Sequence, residues 1–380
     1  MGVGFLKVVI TGGLGFIGQK LARRLIADGH GVTLIDAITP QIHGELPQVG
    51  APDGALVVRA DVRELAHRSE LFDGSDAVYH LAAETGTAQS MYQIQQYVSV
   101  NDLGTAAVLE AISRCARRPR QMVLASSRSV YGEGAYEDAS RPGERVLPAA
   151  RTAAQLAAGQ WNPAASGGGT LTAVATPESS PFSPGSVYAA TKAAQELLVS
   201  SAAASLGVRS TILRFQNVFG EGQSLRNPYT GIISIFFNRA RQNLEIPIYE
   251  DGEESRDFVH VDDVVDALCR VLQAELPPGT TLNVGSGVAT SVSTLARTLL
   301  DVSRLAVPVR VTGQYRVGDI RHCFADLSRA RELLGFEPRL SLRDGLQRFV
   351  DWARTQPVYE DQSARATDEL KKMGLTNASR

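Results

Sequence analysis

The chain has 380 residues, of which 44% are hydrophobic and 21% charged, and its formal net charge is -2. This composition is typical of a globular protein, and the balanced charge argues against nucleic acid or an anionic membrane as the main partner. No apolar run has the length of a membrane span, the N-terminus shows no signal-peptide layout, and Cys115, Cys269 and Cys323 are far apart, so we expect a cytoplasmic protein without disulfides.

The first motif is a glycine-rich turn between a predicted strand, residues 6–11, and a predicted helix that ends near Asp28. Glycine permits a tight turn and lets main-chain amides approach a pyrophosphate at the positive end of a helix. The residues of this turn that we expect to bind a dinucleotide are Gly12, Gly15, Phe16, Ile17 and Gly18.

Asp36 follows the next predicted strand, residues 31–35. An acid about 20 residues after such glycines is expected to hold a ribose diol, and it would repel the 2′-phosphate of NADP. The sequence therefore predicts NAD as the cofactor.

Further short strands are predicted at residues 57–60, 77–81 and 121–125, with helical stretches between them. This alternation predicts a parallel sheet with helices on both faces, in which ligands lie beyond the carboxyl ends of the strands. The residues expected there, near the cofactor, are Asp61, Val62, Leu81, Ala82, Ala83 and Asn101.

Two stretches offer catalytic side chains. The strand at 121–125 ends in a serine-rich turn, where Ser127, or alternatively Ser126, could hydrogen-bond the reacting oxygen. Tyr188 and Lys192 lie four positions apart on one face of a helix predicted over 187–204, and an ammonium beside a phenol favours the phenolate, a general base. Such a pair alone is common on protein surfaces, so its meaning depends on the rest of the chain.

Together these motifs resemble the extended short-chain dehydrogenase/reductase family, in its nucleotide-sugar epimerase and dehydratase branch, from about residue 7 to about residue 352. The resemblance implies an α/β fold: a Rossmann-type, doubly wound parallel sheet with a smaller C-terminal substrate-binding α/β domain. It implies an NAD-binding domain over residues 1–215, a mainly nucleotide-sugar-binding domain over 216–352 and a tail over 353–380. The implied catalytic residues are Ser127, Tyr188 and Lys192, and Tyr188 and Lys192 are also expected to contact the cofactor, with Lys192 at the nicotinamide ribose. The motifs that carry the likeness are Thr11-Gly12-Gly13-x-Gly15-Phe16-Ile17-Gly18, Asp61-Val62, His80-Leu81-Ala82-Ala83, Ser127 ahead of Val130-Tyr131-Gly132, and Tyr188-x-x-x-Lys192.

The second half carries further family signatures, namely Asn217-Val218-Phe219-Gly220, the run from Arg256 to Asp263, and Arg316-Val317-Gly318-Asp319. The resemblance implies that Asn217, Arg256 and Arg316 contact the diphosphate of the substrate and that Asp319 contacts its ribose. Arg128, beside Ser127, is also expected at the substrate. No metal is expected.

A closer resemblance, to the dTDP-L-rhamnose 4-epimerase group, rests on four longer runs: residues 89–92, 97–105, 126–134 and 315–326. It implies 4-epimerisation of a nucleotide-linked 6-deoxyhexose through a transient 4-keto sugar. A 4,6-dehydratase is the first alternative, but those enzymes place Asp-Glu after the catalytic hydroxyl, where this chain has Arg128-Ser129. A non-catalytic NAD-binding protein is the remote alternative, and such proteins commonly lack the Tyr or the Lys.

The resemblance also implies a homodimer in which the helices of Asn101 and Tyr188 pack across the interface. Its apolar area could come from a set of residues that could instead face the chain's own sheet: Ala106, Leu109, Ala189, Ala193, Leu197 and Leu198.

Two segments depart from the family pattern. Residues 133–181 form an insertion rich in Ala and Gly, which could be a lid, an interface or a disordered loop; it contains no Cys, so the metal knuckle of some relatives is lost. In the tail, residues 362–373 could form a short amphipathic helix, although a frayed terminus is the simpler expectation.

Overall fold

A parallel sheet of seven strands lies at the centre of the fold. The computed structural model describes residues 4–40, 50–141, 143–165, 169–227, 231–316, 318–361, 368–369, 371–374 and 376–378. In chain order the strands are β1 (Lys7–Thr11), β2 (Gly31–Asp36), β3 (Ala55–Arg59), β4 (Ala77–His80), β5 (Gln121–Ser127), β6 (Ala135–Asp138), β7 (Arg145–Val146), β8 (Leu171–Val174), β9 (Arg209–Phe215), β10 (Asn217–Phe219), β11 (Ile246–Ile248), β12 (Ser255–Arg256), β13 (Phe258–His260), β14 (Thr280–Val284), β15 (Thr290–Ser291), β16 (Val309–Val311), β17 (Gln314–Arg316), β18 (His322–Cys323) and β19 (Thr376–Ala378).

The helices alternate with these strands over most of the chain. They are α1 (Phe16–Ala27), α2 (Thr87–Ser90), α3 (Ile94–Tyr97), α4 (Gly104–Ser113), α5 (Ala153–Ala157), α6 (Val187–Leu206), α7 (Ile232–Arg241), α8 (Val261–Gln273), α9 (Val292–Ser303), α10 (Ser328–Leu334) and α11 (Leu342–Arg354). A π-helical segment, Val98–Leu103, joins α3 to α4, and 3-10 turns occupy Val62–His67, Ser69–Leu71 and Arg128–Tyr131. Within the described ranges, no helix combines the length and apolar character needed to cross a bilayer.

The central sheet has the strand order β14-β9-β5-β4-β1-β2-β3, and every neighbouring pair is parallel. Alternate strand residues point to opposite faces, so each face needs its own apolar cover. Helices α1, α8 and α10 pack on one face, and α4 and α6 pack on the other. The predicted doubly wound sheet is confirmed.

The two halves of the chain interleave in this sheet. Strand β14 and helix α8 both follow residue 215. Strand β14 nevertheless extends the sheet beyond β9, and α8 packs beside α1. A second apolar core is built from α7, α9 and α11, with the rings of Phe237 and Phe349 in edge contact at 5.7 Å. Residues after 215 therefore form the second core and also return to complete the first.

The insertion at 133–181 is folded over the part that the structure describes. Strands β7, β6 and β8 form a small antiparallel sheet, and α5 begins with a capping box between Thr152 and Gln155. Residues 166–168, in its Gly-rich middle, lie outside the described residues. Of the three readings that the sequence left open, a plain disordered loop does not describe the rest of this segment.

The end of the chain pairs with the second half. Strand β19 lies antiparallel to β17, and the Thr376 hydroxyl donates to the carbonyl of Tyr315 at 2.9 Å. The expectation of a frayed terminus is wrong for residues 376–378, because β17 offers an edge whose main-chain groups they satisfy. Most of the alternative helix, residues 362–367 and 370, lies outside the described residues.

We predict that Gly18→Ala destabilises the fold. A Cβ atom at residue 18 would lie 2.4 Å from the carbonyl oxygen of Gly12, a main-chain atom that cannot rotate away. We expect a loss of about 1–3 kcal/mol in the free energy of unfolding, measured by urea denaturation, because the helix must shift on the turn. Gly50→Ala is the matched control, since a Cβ there would meet nothing within 4 Å. Equal stability of the two variants would contradict the close packing of α1 on the turn.

Candidate functional site

The glycine-rich turn lies where β1 ends and α1 begins. Gly12 has a φ of 67°, and a Cβ on it would lie 2.7 Å from the main-chain nitrogen of Ala82. Gly15 is the N-cap of α1 and provides no side-chain acceptor for the first helical N–H groups. The turn therefore leaves the positive end of the helix facing outward with main chain alone, which is the arrangement that a phosphate group binds.

Asp36 lies at the end of β2, beside this turn. One carboxylate oxygen accepts a hydrogen bond from the Leu14 amide at 2.9 Å and the other accepts from the Ile38 amide at 2.8 Å. These bonds fix the carboxylate at the edge of the glycine turn. The turn and the acid fit a dinucleotide, with main-chain amides for its pyrophosphate and a fixed carboxylate for a ribose diol.

The other residues expected at the cofactor fall into two groups. Leu81, Ala82 and Ala83 are half-buried and follow β4, with the Leu81 amide donating to the Thr11 carbonyl at 3.1 Å. Asp61 caps the next 3-10 turn and forms an ion pair with Arg63 at 2.7 Å.

Val62 and Asn101 lie behind the site. The Val62 side chain belongs to the buried core beneath α4. Asn101 is fully buried: its Oδ1 accepts from the Glu84 amide at 2.8 Å, and its Nδ2 donates to the Glu84 carbonyl and to Thr191 Oγ1. The Asn101 side chain thus joins the turn after β4 to α6, and its contact with the cofactor stays a prediction.

Tyr188 lies in the first turn of α6, close to the end of β5. Its amide donates to Ser90 Oγ at 3.0 Å, and its ring meets that of Tyr97 edge-on at 6.5 Å between centroids. The Ser127 hydroxyl lies close enough to the Tyr188 phenol to lower the pKa of that phenol. The structure therefore brings together two of the three side chains that the sequence predicted to be catalytic.

Ser127, rather than Ser126, is the hydroxyl at the site. Ser127 Oγ accepts a hydrogen bond from the Ser129 amide at 3.2 Å, which fixes it as the cap of the 3-10 turn. Ser126 points into the core, where its hydroxyl donates to Glu196, and Glu196 is held by Arg214 at 2.8 Å. Successive strand residues face opposite sides, so only one of the two serines can face the site.

Lys192 is buried one turn further along α6. Its ammonium donates to the carbonyl of Ala125 at 2.9 Å. Burial lowers the pKa of Lys192 to about 8, although the carboxylates of Glu196 and Asp102 act in the opposite direction. Lys192 is thus a desolvated cation directed at the end of β5.

Lys192 is not among the groups that lower the pKa of Tyr188 in this structure, so the expected effect of Lys192 stays a prediction. Desolvation by the surrounding protein raises the pKa of Tyr188, and the groups that oppose this rise are the Ser127 hydroxyl and the Arg128 charge. The Lys192 ammonium donates its hydrogen bond to the Ala125 carbonyl. The positive charge that favours the phenolate comes from Arg128.

The residues expected at the substrate lie near one another. Arg128 Nε donates to Asn217 Oδ1 at 2.9 Å. Arg256 pairs with Asp319 at 2.9 Å, and Arg316 lies over the ring of Tyr249 at 4.9 Å. Arg256 was expected to face phosphate; part of its guanidinium holds Asp319 instead, which leaves the diphosphate contacts of both arginines as predictions.

Asp319 faces this cluster as an ionised carboxylate. Desolvation favours its neutral form, but the charges of Arg256 and Arg316 outweigh it and keep the pKa of Asp319 below its ordinary value. The guanidinium groups around Asp319 are the donors that an anionic ligand would use.

A group of possible metal ligands lies away from this site. Glu221, His260 and Asp262 approach within 4.8 Å of one another. Lys20 and Arg348 form ion pairs with both carboxylates, at distances of 2.6–3.1 Å. Protein cations thus neutralise these acids, and the group joins α1 to the second half of the chain.

Comparison with known proteins agrees with this geometry. Residues 8–156 and 164–285 match the NAD dependent epimerase/dehydratase family. A dTDP-L-rhamnose 4-epimerase from Burkholderia thailandensis is 39% identical over 349 residues, which cover 91% of this chain and 94% of that protein. The predicted likeness to this group is confirmed.

Solved structures give the same picture. A UDP-N-acetylglucosamine 4-epimerase from Methanobrevibacter ruminantium, in complex with UDP-N-acetylmuramic acid, has a TM-score of 0.75 and 27% identity, covering 93% of this chain and 100% of that one. MoeE5 in complex with UDP-glucuronic acid and NAD has a TM-score of 0.73 and 29% identity, covering 92% and 99%. The similarity extends over both halves of the chain.

The burial of Lys192 predicts a pH dependence of stability. Its pKa is about 8 in the folded protein, against 10.5 for the ordinary group, so the unfolded chain binds more protons between these values. Unfolding free energy should therefore rise with pH from about 8 to about 10, by up to roughly 3 kcal/mol. Lys192→Met should remove this rise and be more stable than the wild type at pH 7. The prediction would be refuted if the free energy of unfolding, measured by urea denaturation, changed with pH in the same way in both proteins.

Proposed function

Because the chain belongs to the NAD dependent epimerase/dehydratase family, we propose that it is an NAD-dependent nucleotide-sugar 4-epimerase that works through a transient 4-keto sugar. The observation that carries the proposal is that Ser127, at the end of β5, and Tyr188, at the start of α6, lie close together with the Arg128 cation beside them. This pair can exchange a proton with a hydroxyl and hydrogen-bond the oxygen as its charge changes.

Each member of the site has a separate task. Tyr188 takes the proton of the 4-hydroxyl and later returns it. Ser127 hydrogen-bonds the same oxygen, and Arg128 stabilises the phenolate form of Tyr188 by its charge. Lys192 supplies a buried cation that fixes α6 against β5.

The glycine turn and Asp36 support NAD as the cofactor. Gly12, Gly15 and Gly18 would hold its pyrophosphate at the start of α1, and Asp36 would hold the ribose diol. Bound NAD supplies a reversible acceptor for the hydride on carbon 4. Because the hydride and the proton taken from the sugar are both returned to it, we expect NAD to stay bound through turnover.

The substrate is a nucleoside diphosphate sugar, and we propose a 6-deoxyhexose. Arg256, Arg316 and Asn217 could bind the diphosphate, with Asp319 at the ribose. This division assigns most of residues 216–352 to the sugar nucleotide. The dTDP-L-rhamnose 4-epimerase from Burkholderia thailandensis supports the choice of a 6-deoxy sugar.

We predict that Tyr188→Phe lowers kcat by roughly 10²–10⁴-fold, because the proton acceptor is lost while the fold is kept. The measurement is proton NMR of the NAD-loaded protein with a panel of dTDP- and UDP-hexoses, including 6-deoxyhexoses. Bound NAD, measured after denaturation, should be the same in the variant and the wild type.

Other outcomes of this experiment separate the alternatives. A 4-keto-6-deoxy product that absorbs in alkali would indicate a 4,6-dehydratase. If the wild type leaves the configuration of every sugar unchanged, the epimerase proposal fails; a non-catalytic role would then require that Tyr188→Phe keep full biological activity.

We further propose a homodimer and a cytoplasmic location. Of the apolar residues named from the sequence, Leu109, Ala189 and Ala193 are buried within the chain itself. A set of apolar side chains on α3, the π-helical segment and α6, three elements that contact one another, remains exposed: Ile94, Val98, Leu103, Leu197 and Leu198. Such a set supports self-association. The three buried free thiols support a reducing compartment.

We predict that Leu197→Glu converts the dimer into a monomer, because it places two like charges in a desolvated interface. Val288→Glu is the matched control, since Leu197 and Val288 are each 59% exposed but lie on different parts of the chain. Light scattering after size exclusion measures the mass. A wild-type monomer, or an unchanged mass for Leu197→Glu, would contradict the proposed interface.

A further inference from the structure

The insertion sends one arginine into the interior of the protein. The side chain of Arg151 is only 1% exposed. Its Nε donates to Glu133 at 3.1 Å, and its Nη1 donates to Glu250 at 2.8 Å and to the carbonyl of Trp161 at 3.0 Å. A guanidinium has donors in a fixed planar fork, so these bonds define both its position and its orientation.

The remaining bond of Arg151 reaches the proposed substrate site. Its Nη2 donates to the main-chain carbonyl of Asp319 at 2.9 Å. The carboxylate of the same residue pairs with Arg256, which also donates to the carbonyls of Ile320 and Arg321. Two arginines therefore hold this loop, one from the insertion and one from the second half of the chain.

The acids around Arg151 are shared with a second buried arginine. Arg321 donates to Glu250 at 3.1 Å, and its amide donates to Glu133 at 2.6 Å. Glu250 adopts a φ of 48°, a left-handed conformation that is unfavourable for a residue with a side chain. Backbone strain of this kind persists only where the surroundings fix it, and here Glu250 is buried between Arg151 and Arg321.

A second contact joins the insertion to the same loop. The ring of Trp161 lies 6.2 Å from that of Tyr315, one residue before Arg316. Asn162 accepts a hydrogen bond from Arg321 Nε at 3.0 Å. The insertion thus contacts this part of the chain on both sides of Asp319, at Tyr315 and at Arg321.

We propose that Arg151 is a positioning residue for the nucleotide sugar: it fixes the main chain at Asp319, and so the Arg256–Asp319 pair, which makes the insertion part of the substrate site. This inference rests on the proposed function, in which the loop from Arg316 to Asp319 binds the nucleotide. In this inference the insertion positions the main chain at Asp319, a role that differs from that of a lid or of a dimer interface.

The test is Arg151→Lys in the full-length, NAD-loaded protein. A lysine keeps the charge among the acids but cannot bond Glu133, Glu250 and Asp319 together. We expect Kd for dTDP or UDP, measured by calorimetry, and KM for the sugar nucleotide to rise roughly tenfold, with kcat changed less than about twofold. A merely structural role would lower the melting temperature without this division between KM and kcat.

Two further variants complete the design. Arg145→Lys makes the same change at an exposed arginine of the insertion, paired with Asp326 at 3.4 Å, and should leave Kd and KM unchanged. Arg151→Met combined with Glu133→Gln keeps the net charge of the buried group and should raise Kd as Arg151→Lys does. It is the variant to measure if Arg151→Lys does not fold.

Each result decides the inference. Unchanged Kd and KM in a folded Arg151 variant would overturn it, and so would failure of both Arg151 variants to fold. If the wild type epimerises no sugar but binds dTDP or UDP, the proposed function fails while the Kd comparison still tests Arg151. If the wild type binds neither nucleotide, the loop is not a nucleotide site and the inference falls with it.

Discussion

The bond from the Lys192 ammonium to the Ala125 carbonyl is the contact on which the site depends. It joins α6 to the end of β5 inside the protein, where an ammonium without a partner would be very unfavourable. Because Ala125 lies two residues before Ser127 and Lys192 four residues after Tyr188, this bond fixes the distance between the two hydroxyls. Burial of one charge therefore determines the geometry of the reacting pair.

The second half of the site depends on arginines that hold main-chain carbonyls. Arg151 and Arg256 donate hydrogen bonds to main-chain carbonyls at Asp319 and Ile320. Strand β19 pairs with β17 directly before them. A loop held on three sides loses little further freedom when a ligand binds, and this lowers the entropic cost of binding. The long insertion and the chain terminus thus both restrain one short loop.

The sequence was sufficient for the elements whose signals are local. Alternating apolar runs and glycines predicted the parallel sheet and the turn at Gly15, because these features depend on neighbours along the chain. The direction of the Tyr188 pKa could not be predicted from spacing, since it depends on desolvation and on which acceptor Lys192 reaches. The contact between Arg151 and Asp319 could not be predicted either, because Arg151 lies in an Ala-rich stretch and is far from Asp319 in the sequence.

The residue after Ser127 shows how one position can select between related reactions. A dehydratase needs an acid there to move a proton and expel water, whereas Arg128 carries a permanent positive charge. In this structure that charge acts on Tyr188. Desolvation raises the pKa of Tyr188 overall, and Ser127 and Arg128 oppose part of this rise. An arginine at this position therefore removes the group that elimination requires and assists the base that epimerisation requires. Arg128 thus disfavours the elimination product and favours the epimer. This is a physical reason to prefer the epimerase over the 4,6-dehydratase.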